Sequence, residues 1–432
     1  MSAPGDADAV TCLNRVSEVD GAVHAVIALD HRATQRPPVA GELSGFPLLV
    51  KDNIDVAGLP CTAGSPVLAD LAPPADAPVV ARLRAAGATV LGKANLSEWG
   101  WFRSRELPEG WSGVGGQTRN PHDPARSAWG SSAGSAVAVA TGMARVALGT
   151  ETDGSVVGPA GVVGVVGLKP ETGLLPTRGI VPLAPSTDVP GVFARTLADA
   201  AACLDVMAGS APAAVVPTEL AGLRLGVWRV PGTPAEADAV LCAAVAALRA
   251  RGAVPVPVDA GIAPEVSAAA ARARLAEFTA ALPHYLRSRG AAVSTVAELV
   301  EANRGDGAPQ EVLEHAAALD EDELAFVADE GVRARWVARA RLREVLRDNS
   351  VFAVLAATNP PAWRLADRDP VDLPAASTPA ALAGAAAVSL PAGLVDGLPV
   401  GLSVFGPRAM ADLLPLAFAV EAALGREVRL CP

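Results

Sequence analysis

Short apolar runs alternate with segments of helical character through the first 260 residues. The apolar runs at 46–50 and 88–93 predict buried strands, and the residues between them predict a helix at about 78–87. Residues 223–258 repeat this order of strand, helix and strand. Strands that alternate with helices are typical of βαβ units. The pattern therefore predicts an α/β fold whose largely parallel sheet is covered by helices on both faces.

The pattern changes between about residues 260 and 350, where it is helical, alternates acidic and basic side chains and contains no strand signal. Strand-like apolar runs return at 351–357 and 400–405. We expect these later strands to complete the sheet of the first half. The chain is therefore predicted to be one domain, residues 1–432, with a helical insert at 260–350. The alternative is two separable domains that divide near residue 215.

Charge and hydropathy exclude several classes of protein. The 432 residues carry a formal charge of −11, and their 35 basic side chains form no cluster that could follow a phosphate backbone, so we expect no nucleic-acid partner. The longest apolar stretches, 160–168 and 380–390, are shorter than the roughly 18–20 residues of a membrane span. The first ten residues lack the basic start and apolar run of a secretion signal. We therefore expect a cytoplasmic protein without a membrane segment.

The residue types that bind metals are dispersed along the chain. The five cysteines form no CxxC pair, and neither they nor the five histidines have the spacing of a zinc site. We expect each cysteine, Cys431 included, to be a small buried hydrophobe or an unreactive surface thiol. The sequence thus predicts no metal and no other cofactor.

Lysine is unusually rare in this chain. Only three of the 35 basic residues are lysines, namely Lys51, Lys93 and Lys169, and all three lie in apolar or Gly-flanked segments. A desolvated lysine can lose its proton, whereas an arginine cannot. Two interpretations stay open on this count alone. One is a genome that prefers arginine codons, and the other is a requirement for lysine chemistry at one of these positions.

Residues 110–135 have little periodicity and are rich in Gly, Ser and Trp. Such a long irregular stretch inside a compact domain is usually functional. It ends in a Gly-Ser element at 130–135, and a second such element follows at 149–155. Small residues let backbone N–H groups approach a ligand, as an oxyanion hole requires. Gly-Ser stretches also form ordinary turns, so neither element decides the function alone.

A serine in these elements needs a base before it can act as a nucleophile. Ser132 is the centre of a G-x-S-x-G match, which would suggest an α/β-hydrolase. However, no strand pattern precedes Ser132, and the downstream histidines, His284 and His315, fall in the predicted helical insert. The spacing Ser-x-x-Lys is absent from the sequence. A distant lysine is the third option, and Lys51, at the end of the apolar run 46–50, is its natural candidate.

Several ordered motifs closely resemble those of the amidase signature family. The resemblance covers roughly residues 20–210 and 350–425 and leaves the helical middle without motifs. Four segments look most like the peptide amidase subgroup: NLSEWGWFRS (95–104), GWSGVGGQTRNP (110–121), GTETDGS (149–155) and TNPPAW (358–363). The motifs of the wider family are KDNI (51–54), GSSAGSAVAVA (130–140), GTETDGS (149–155), GLKP (167–170), the segment 179–209 and AAVSLPAGLVDGLPVGLSVFGP (386–407). The resemblance implies the amidase-signature fold, an α/β fold with a mixed, mostly parallel central sheet covered by helices on both faces.

The resemblance also implies a catalytic triad. Ser155 would be the nucleophile, Ser131 would relay its proton, and Lys51 would be the base. The resemblance also implies that the peptide bond between Gly130 and Ser131 is cis. The implied oxyanion hole consists of the backbone N–H groups of Thr152, Asp153, Gly154 and Ser155. A lysine base requires a pKa lowered from about 10.4 to roughly 7–8, and desolvation at the end of an apolar strand can supply such a shift.

The chain departs from the broad family pattern around the implied nucleophile. The usual Gly-Gly-Ser turn is Asp153-Gly154-Ser155 here, and Glu151 replaces an aspartate. Val157 stands where an arginine commonly follows the nucleophile. Several of these departures fit the peptide amidase subgroup, and the absent arginine removes one candidate for holding an anionic substrate group. They bear on the class of substrate more than on catalysis.

Aromatic residues are concentrated close to the irregular stretch. Five of the sixteen Trp, Phe and Tyr side chains fall within 31 residues: Trp99, Trp101, Phe102, Trp111 and Trp129. Core packing and the wall of a substrate channel are both consistent with this cluster, because aromatics dominate both settings. The candidate substrate contacts are Trp99, Trp101, Trp129 and Ser132.

The expected function is that of a serine-dependent amidase. It would hydrolyse linear carboxamides, such as C-terminal peptide amides or amino-acid amides, through an acyl-enzyme, so its expected partner is a small-molecule or short-peptide amide. Two alternatives remain within acyl transfer: an amidotransferase component that passes ammonia to another site, and an acyltransferase that resolves the ester with an amine. An alternative of another class is a non-catalytic binding relative. No feature of the sequence indicates an oligomeric state.

Overall fold

The computed structural model describes residues 8–367, 376–406 and 409–425. Cys431, for which we predict an unreactive environment, lies outside these residues. The helices are α1 (Ala9–Val23), α2 (Pro78–Ala85), α3 (Ala133–Ala140), α4 (Val157–Val163), α5 (Leu197–Ala208), α6 (Ala235–Ala250), α7 (Pro264–Arg289), α8 (Val296–Asn303), α9 (Glu311–Ala318), α10 (Glu321–Asp348), α11 (Thr378–Ala383) and α12 (Met410–Leu424). The strands are β1 (Val26–Leu29), β2 (Pro47–Lys51), β3 (Thr89–Ala94), β4 (Trp111–Ser112), β5 (Gly116–Gln117), β6 (Val146–Glu151), β7 (Val166–Lys169), β8 (Val189–Ala194), β9 (Arg224–Val227), β10 (Val254–Pro257), β11 (Val354–Ala357), β12 (Ala386–Val395) and β13 (Leu398–Gly406).

Eleven strands form one mixed sheet in the order β1-β3-β2-β6-β8-β7-β12-β13-β11-β9-β10. Among the described residues, parallel pairing is confined to two groups, β3-β2-β6 and β11-β9-β10, and the pairs between and beside them are antiparallel. The short strands β4 and β5 form a separate hairpin. Strands from both halves of the chain thus share one sheet.

Helices cover both faces of this sheet, as predicted. Alternate residues of a strand point to opposite faces. On β2, Leu48 and Val50 join the apolar core that includes α2, α5, α6 and α12, whereas Leu49 joins the core formed with α1, α3 and α4. The predicted α/β fold with a mixed central sheet is therefore confirmed.

Four helices, α7 to α10, lie between the strands β10 and β11, within the predicted insert at 260–350. The two long helices, α7 and α10, pack against each other. Asp320 caps α10 through a capping box with Glu323, so the acidic residues 320–323 begin this helix. Because β7 and β12 pair across the insert, we propose a single domain over 1–432 rather than two domains divided near residue 215.

Two elements differ from the sequence pattern. Residues 157–161, whose Gly and Pro content is typical of a turn, begin the helix α4 instead. Gly158, Pro159 and Gly161 have low helix propensity, but α4 is buried and packs on β12 and β13. Tertiary packing therefore outweighs local preference here. The strand at 189–194 also was not predicted, because its Pro and Gly residues obscure the apolar run.

None of the helices in the described residues combines the length and the apolar character that a membrane span requires. The cysteines of these residues are all free thiols: Cys12, Cys61 and Cys203 are buried, and Cys242 is exposed. The burial of the first three agrees with the predicted role of a small buried hydrophobe.

Candidate active site

Lys51 is the last residue of β2, and its side chain is completely buried. Its amine lies 2.8 Å from Ser131 Oγ, 2.9 Å from Ser132 Oγ and 3.0 Å from Thr150 Oγ1. The two serines come from the chain that enters α3, and Thr150 comes from β6, the strand next to β2. The fold thus brings a buried lysine together with hydroxyl groups that lie 80 to 99 residues away in sequence.

Ser131 and Ser132 stand at the end of the irregular stretch, directly before α3. The Gly130–Ser131 peptide bond is cis, as the resemblance implies. Both serine side chains are buried. Gly130 fits this place because a Cβ there would lie 2.2 Å from Glu109 Oε2 and 2.3 Å from Ser97 Oγ.

The acceptors around Lys51 can satisfy an ammonium, whose N–H groups donate to Ser131, Ser132 and Thr150, and they also accommodate an uncharged amine. Ser132 Oγ donates to the Thr150 carbonyl at 3.0 Å, and Thr150 Oγ1 accepts from Asn53 Nδ2 at 3.0 Å. Ser132 Oγ and Thr150 Oγ1 can therefore both accept an N–H of Lys51. An uncharged amine has two N–H groups and one lone pair. In the uncharged form, when both N–H groups are engaged there, the lone pair can accept the hydroxyl of Ser131.

Burial lowers the pKa of Lys51 to about 7, because desolvation disfavours the charged ammonium. The negative charges of Glu109, Asp188 and Glu151 act in the opposite direction and limit this decrease. The groups that touch the amine are hydroxyls and a carbonyl, which stabilise its charge less than a carboxylate would. A pKa near 7 suits a general base at neutral pH.

Ser155 lies in the turn between β6 and α4, four residues after Glu151. It is partly exposed, whereas Lys51 and Ser131 are buried. Glu151 is buried and spans this turn, because its Oε2 accepts the backbone N–H groups of Val156 at 2.7 Å and Val157 at 3.0 Å. Ser155 is thus partly exposed in a turn, five residues after Thr150, which contacts the amine of Lys51.

The two residues before Gly154 are held by separate parts of the chain. Thr152 Oγ1 donates to Asp188 Oδ1 at 2.6 Å, and the other oxygen of Asp188 accepts two backbone N–H groups. Asp153 accepts a hydrogen bond from Ser377 Oγ at 2.9 Å and forms an ion pair with Arg274 at 3.0 Å. These contacts fix the side chains of the turn whose backbone N–H groups we predict to form the oxyanion hole.

The candidate substrate contacts occupy different environments. Trp99 is 1% exposed and packs edge-to-face on Phe278 of α7, and Trp129 packs in the same manner on Trp363. Trp101 is half-buried, and the guanidinium of Arg105 lies 4.0 Å from its ring centre. Ser132 is fully buried and contacts the amine of Lys51. The packing interpretation describes Trp99 and Trp129, and a contact with substrate remains a prediction for all four residues.

The sequence interpretation did not assign roles to Thr150, which accepts from Lys51, or to Asn53, which donates to Thr150. Both residues lie inside motifs of the family, GTETDGS and KDNI. The sequence therefore marked the two segments but did not show that these side chains are hydrogen-bonded to each other. The other two lysines donate to carbonyl groups, Lys93 to that of Pro60 and Lys169 to that of Ala385.

No group of three or more His, Cys, Asp or Glu side chains in the described residues could hold a metal ion. The candidate site consists of hydroxyls, one amine and backbone groups. Such a set suits acyl transfer through a serine.

Comparison with known proteins places the chain in one family. The family model described as Amidase matches residues 8–414. A component of the glutamyl-tRNA(Gln) amidotransferase of Symbiobacterium thermophilum is 35% identical over 462 residues, which cover 96% of this chain and 92% of that protein.

Two solved structures separate two kinds of relative. The native peptide amidase of Stenotrophomonas maltophilia is 36% identical with a TM-score of 0.86, and the match covers 99% of this chain and 96% of that one. The corresponding component of the glutamyl-tRNA(Gln) amidotransferase of Thermotoga maritima is 28% identical with a TM-score of 0.73, over 97% and 91% of the two chains. The resemblance to peptide amidase is therefore confirmed, and the protein belongs to the amidase signature family.

Proposed function

We propose that this protein is an amidohydrolase that cleaves linear carboxamides, in particular C-terminal peptide amides or amino-acid amides. The observation that carries the proposal is the fully buried amine of Lys51, which lies 2.8 Å from Ser131 Oγ and has its pKa lowered to about 7 by burial. A lysine in this state can accept a proton at neutral pH. The neighbouring turn then supplies Ser155 as the nucleophile.

The proposed reaction has two stages. Ser155 Oγ attacks the amide carbonyl carbon, and its proton passes through Ser131 to Lys51, while the N–H groups of the turn at 152–155 stabilise the oxyanion. The C–N bond then breaks, and the proton returns through Ser131 to the leaving ammonia or amine. Water, deprotonated by the same relay, hydrolyses the acyl ester and regenerates Ser155.

Two observations support hydrolysis of a peptide-type amide. The likeness to the peptide amidase is greater, at 36% identity and a TM-score of 0.86, than that to the solved amidotransferase component, at 28% and 0.73. Ser155 is also partly exposed, as a nucleophile that attacks an external amide must be.

The test is release of ammonia from a panel of peptide amides, amino-acid amides and simple aliphatic amides, without ATP or a partner protein. We expect turnover that Ser155→Ala abolishes. The rate should increase as the pH rises through an apparent pKa near 7, because Lys51 is protonated and inactive below that value. A lack of turnover across the panel would contradict the proposal.

A second candidate is an amidotransferase-type component that passes ammonia to a partner protein. It is favoured by the sequence relatives, which are named as components of the glutamyl-tRNA(Gln) amidotransferase and match more than 90% of this chain. In that case the isolated chain would be labelled at Ser155 by a fluorophosphonate but would release little ammonia. Transfer of the acyl group to an added amine would indicate an acyltransferase, and absence of any label on the folded chain would indicate a non-catalytic relative.

A further inference from the structure

The turn that carries Ser155 is held by side chains at three consecutive positions. Glu151 bonds the backbone within the turn, Thr152 bonds Asp188, and Asp153 bonds groups outside the turn. Glycine follows at position 154, where φ is +83° and a Cβ would lie 2.9 Å from Ser377 Oγ. These side-chain contacts and the conformation of Gly154 therefore restrict the orientation of the backbone at 152–155.

Of these three residues, Asp153 has the hydrogen-bond partners that lie farthest away in sequence. Its Oδ1 accepts from Ser377 Oγ at 2.9 Å, and its Oδ2 accepts from Arg274 Nη1 at 3.0 Å and from Thr378 Oγ1 at 3.2 Å. The side chains of Asp153 and Arg274 are 15% and 20% exposed, so the pair is largely shielded from water. A shielded, charge-assisted hydrogen bond is stronger than an exposed one. Asp153 is therefore firmly anchored to the helical insert, because Arg274 belongs to α7.

The same face of α7 contacts a second support of the turn. Glu277, three residues after Arg274, accepts from the backbone N–H of Ser186 at 2.9 Å and from Ser186 Oγ at 2.6 Å. Ser186 lies two residues before Asp188, which accepts the hydroxyl of Thr152. Residues three apart on a helix share a face. One face of the insert thus reaches the turn directly at Asp153 and indirectly at Thr152.

We propose that Arg274 is a positioning residue, which acts through Asp153 to fix the backbone N–H groups that stabilise the oxyanion. The inference rests on the proposed function and assigns a task to the helical insert. An oxyanion hole is effective only when its donors are oriented before charge develops. Because Arg274 touches the turn and not the reacting atoms, its loss should weaken binding of the transition state more than binding of the substrate.

The experiment compares Arg274→Gln with Arg272→Gln on the full-length enzyme. Arg272 lies on the same helix and pairs with Glu330 at an exposed site, so its substitution removes the same charge away from the turn. For Arg274→Gln we expect kcat on the best peptide amide to fall about 10–100-fold with KM within about twofold, less than or similar to the loss of one oxyanion donor. Arg272→Gln should retain wild-type kcat.

A peptide aldehyde provides a second readout. Ser155 Oγ adds to the aldehyde carbon, its proton passes to the Lys51 relay, and the hemiacetal oxygen occupies the oxyanion position. We expect Arg274→Gln to weaken aldehyde binding by the same factor as kcat, and Arg274→Lys to restore part of both because a cation returns. Asp153→Asn should have a similar effect, and the double variant should be no worse than the worse single variant, since the two residues act as one unit.

The outcomes separate this inference from the proposed function. Wild-type enzyme inert to every amide and to the aldehyde would overturn both. An active wild type together with an Arg274→Gln variant of unchanged kcat and aldehyde affinity would overturn the positioning role alone. If Arg274→Gln does not fold, as judged by its thermal melting, Arg274→Lys and Asp153→Asn carry the test, and equal aldehyde affinity in both and the wild type would reject the inference.

Discussion

At the scale of residues, three buried lysines differ in the charges that surround them. Burial alone would lower the pKa of all three. For Lys93, burial lowers the pKa, but the Cys61 thiol and the Asp52 carboxylate at 3.1 Å act in the opposite direction, and the net change is upward. Burial lowers the pKa of Lys169, although Glu151 opposes the change. The amine of Lys51 contacts hydroxyl and carbonyl oxygens instead, and its pKa falls to about 7. The count of lysines in the sequence could not separate these environments.

Replacement of Lys51 by arginine should be nearly as damaging as replacement by alanine. Arginine keeps the charge but cannot accept the proton of Ser131, and its planar fork does not fit a site built around an amine. We expect turnover to fall by about 10²–10⁴-fold from the lost acid–base step. Steady-state ammonia release measures this loss, and a melting curve establishes that Lys51→Ala still folds. Near-wild-type turnover in Lys51→Arg would mean that Lys51 is structural and the nucleophile has been misassigned.

At the scale of elements, the sequence pattern located most strands and helices but not their directions. The helix predicted at about 78–87 is Pro78–Ala85, and the first strand predicted within 223–258 is Arg224–Val227. Strands that are buried on both faces read as similar apolar runs whichever way they run. The antiparallel pairing of β8 with β6 and β7 therefore could not be read from hydropathy.

The carboxyl end of β6 provides a test of how the strand holds the base. Thr150→Val keeps the shape of the side chain but removes the hydroxyl that accepts from Lys51 and Asn53. We expect kcat to fall about tenfold, because Lys51 loses one of the bonds that direct its lone pair. Thr141→Val is the matched control, since the hydroxyl of Thr141 bonds carbonyl groups of α3, those of Val137 and Ala138. Equal rates in the two variants would show that Thr150 does not hold the base.

At the scale of the whole molecule, the site is assembled from distant segments, which limits what the sequence alone can predict. The motifs indicated Lys51, Ser131 and Ser155, but not the contact between Asp153 and Arg274, which are 121 residues apart. Residue 274 lies in a segment without motifs, so only the fold brings it to the turn. The contacts between the insert and the segment that follows β2 also join residues far apart in sequence. Tyr285 donates to the buried Asp55 at 2.7 Å, and Arg289 pairs with the same carboxylate.

Arg103, which is 1% exposed, forms ion pairs that connect the helical insert to the rest of the molecule. It bonds the buried Glu98 at 2.8 Å and reaches Asp306 in the insert at 2.8 Å. Arg103→Met should leave the Glu98 carboxylate buried without its cation. A broken buried pair of this kind costs about 3–5 kcal/mol. We therefore expect a clearly lower midpoint of urea unfolding and faster proteolysis between α8 and α9, where the insert loses its anchor.

The matched control is Arg304→Met, because Arg304 pairs with Glu301 on the exposed surface of the same insert. Exposed pairs contribute about 0–1 kcal/mol, so this variant should unfold close to the wild type. The double variant Arg103→Met with Glu98→Gln should recover part of the lost stability, because it removes the unpaired charge of Glu98. It does not restore the contact with Asp306. If Arg103→Met unfolds at the same urea concentration as Arg304→Met, the insert is held by its apolar contacts with Trp99 and Phe102, and not by this ion pair.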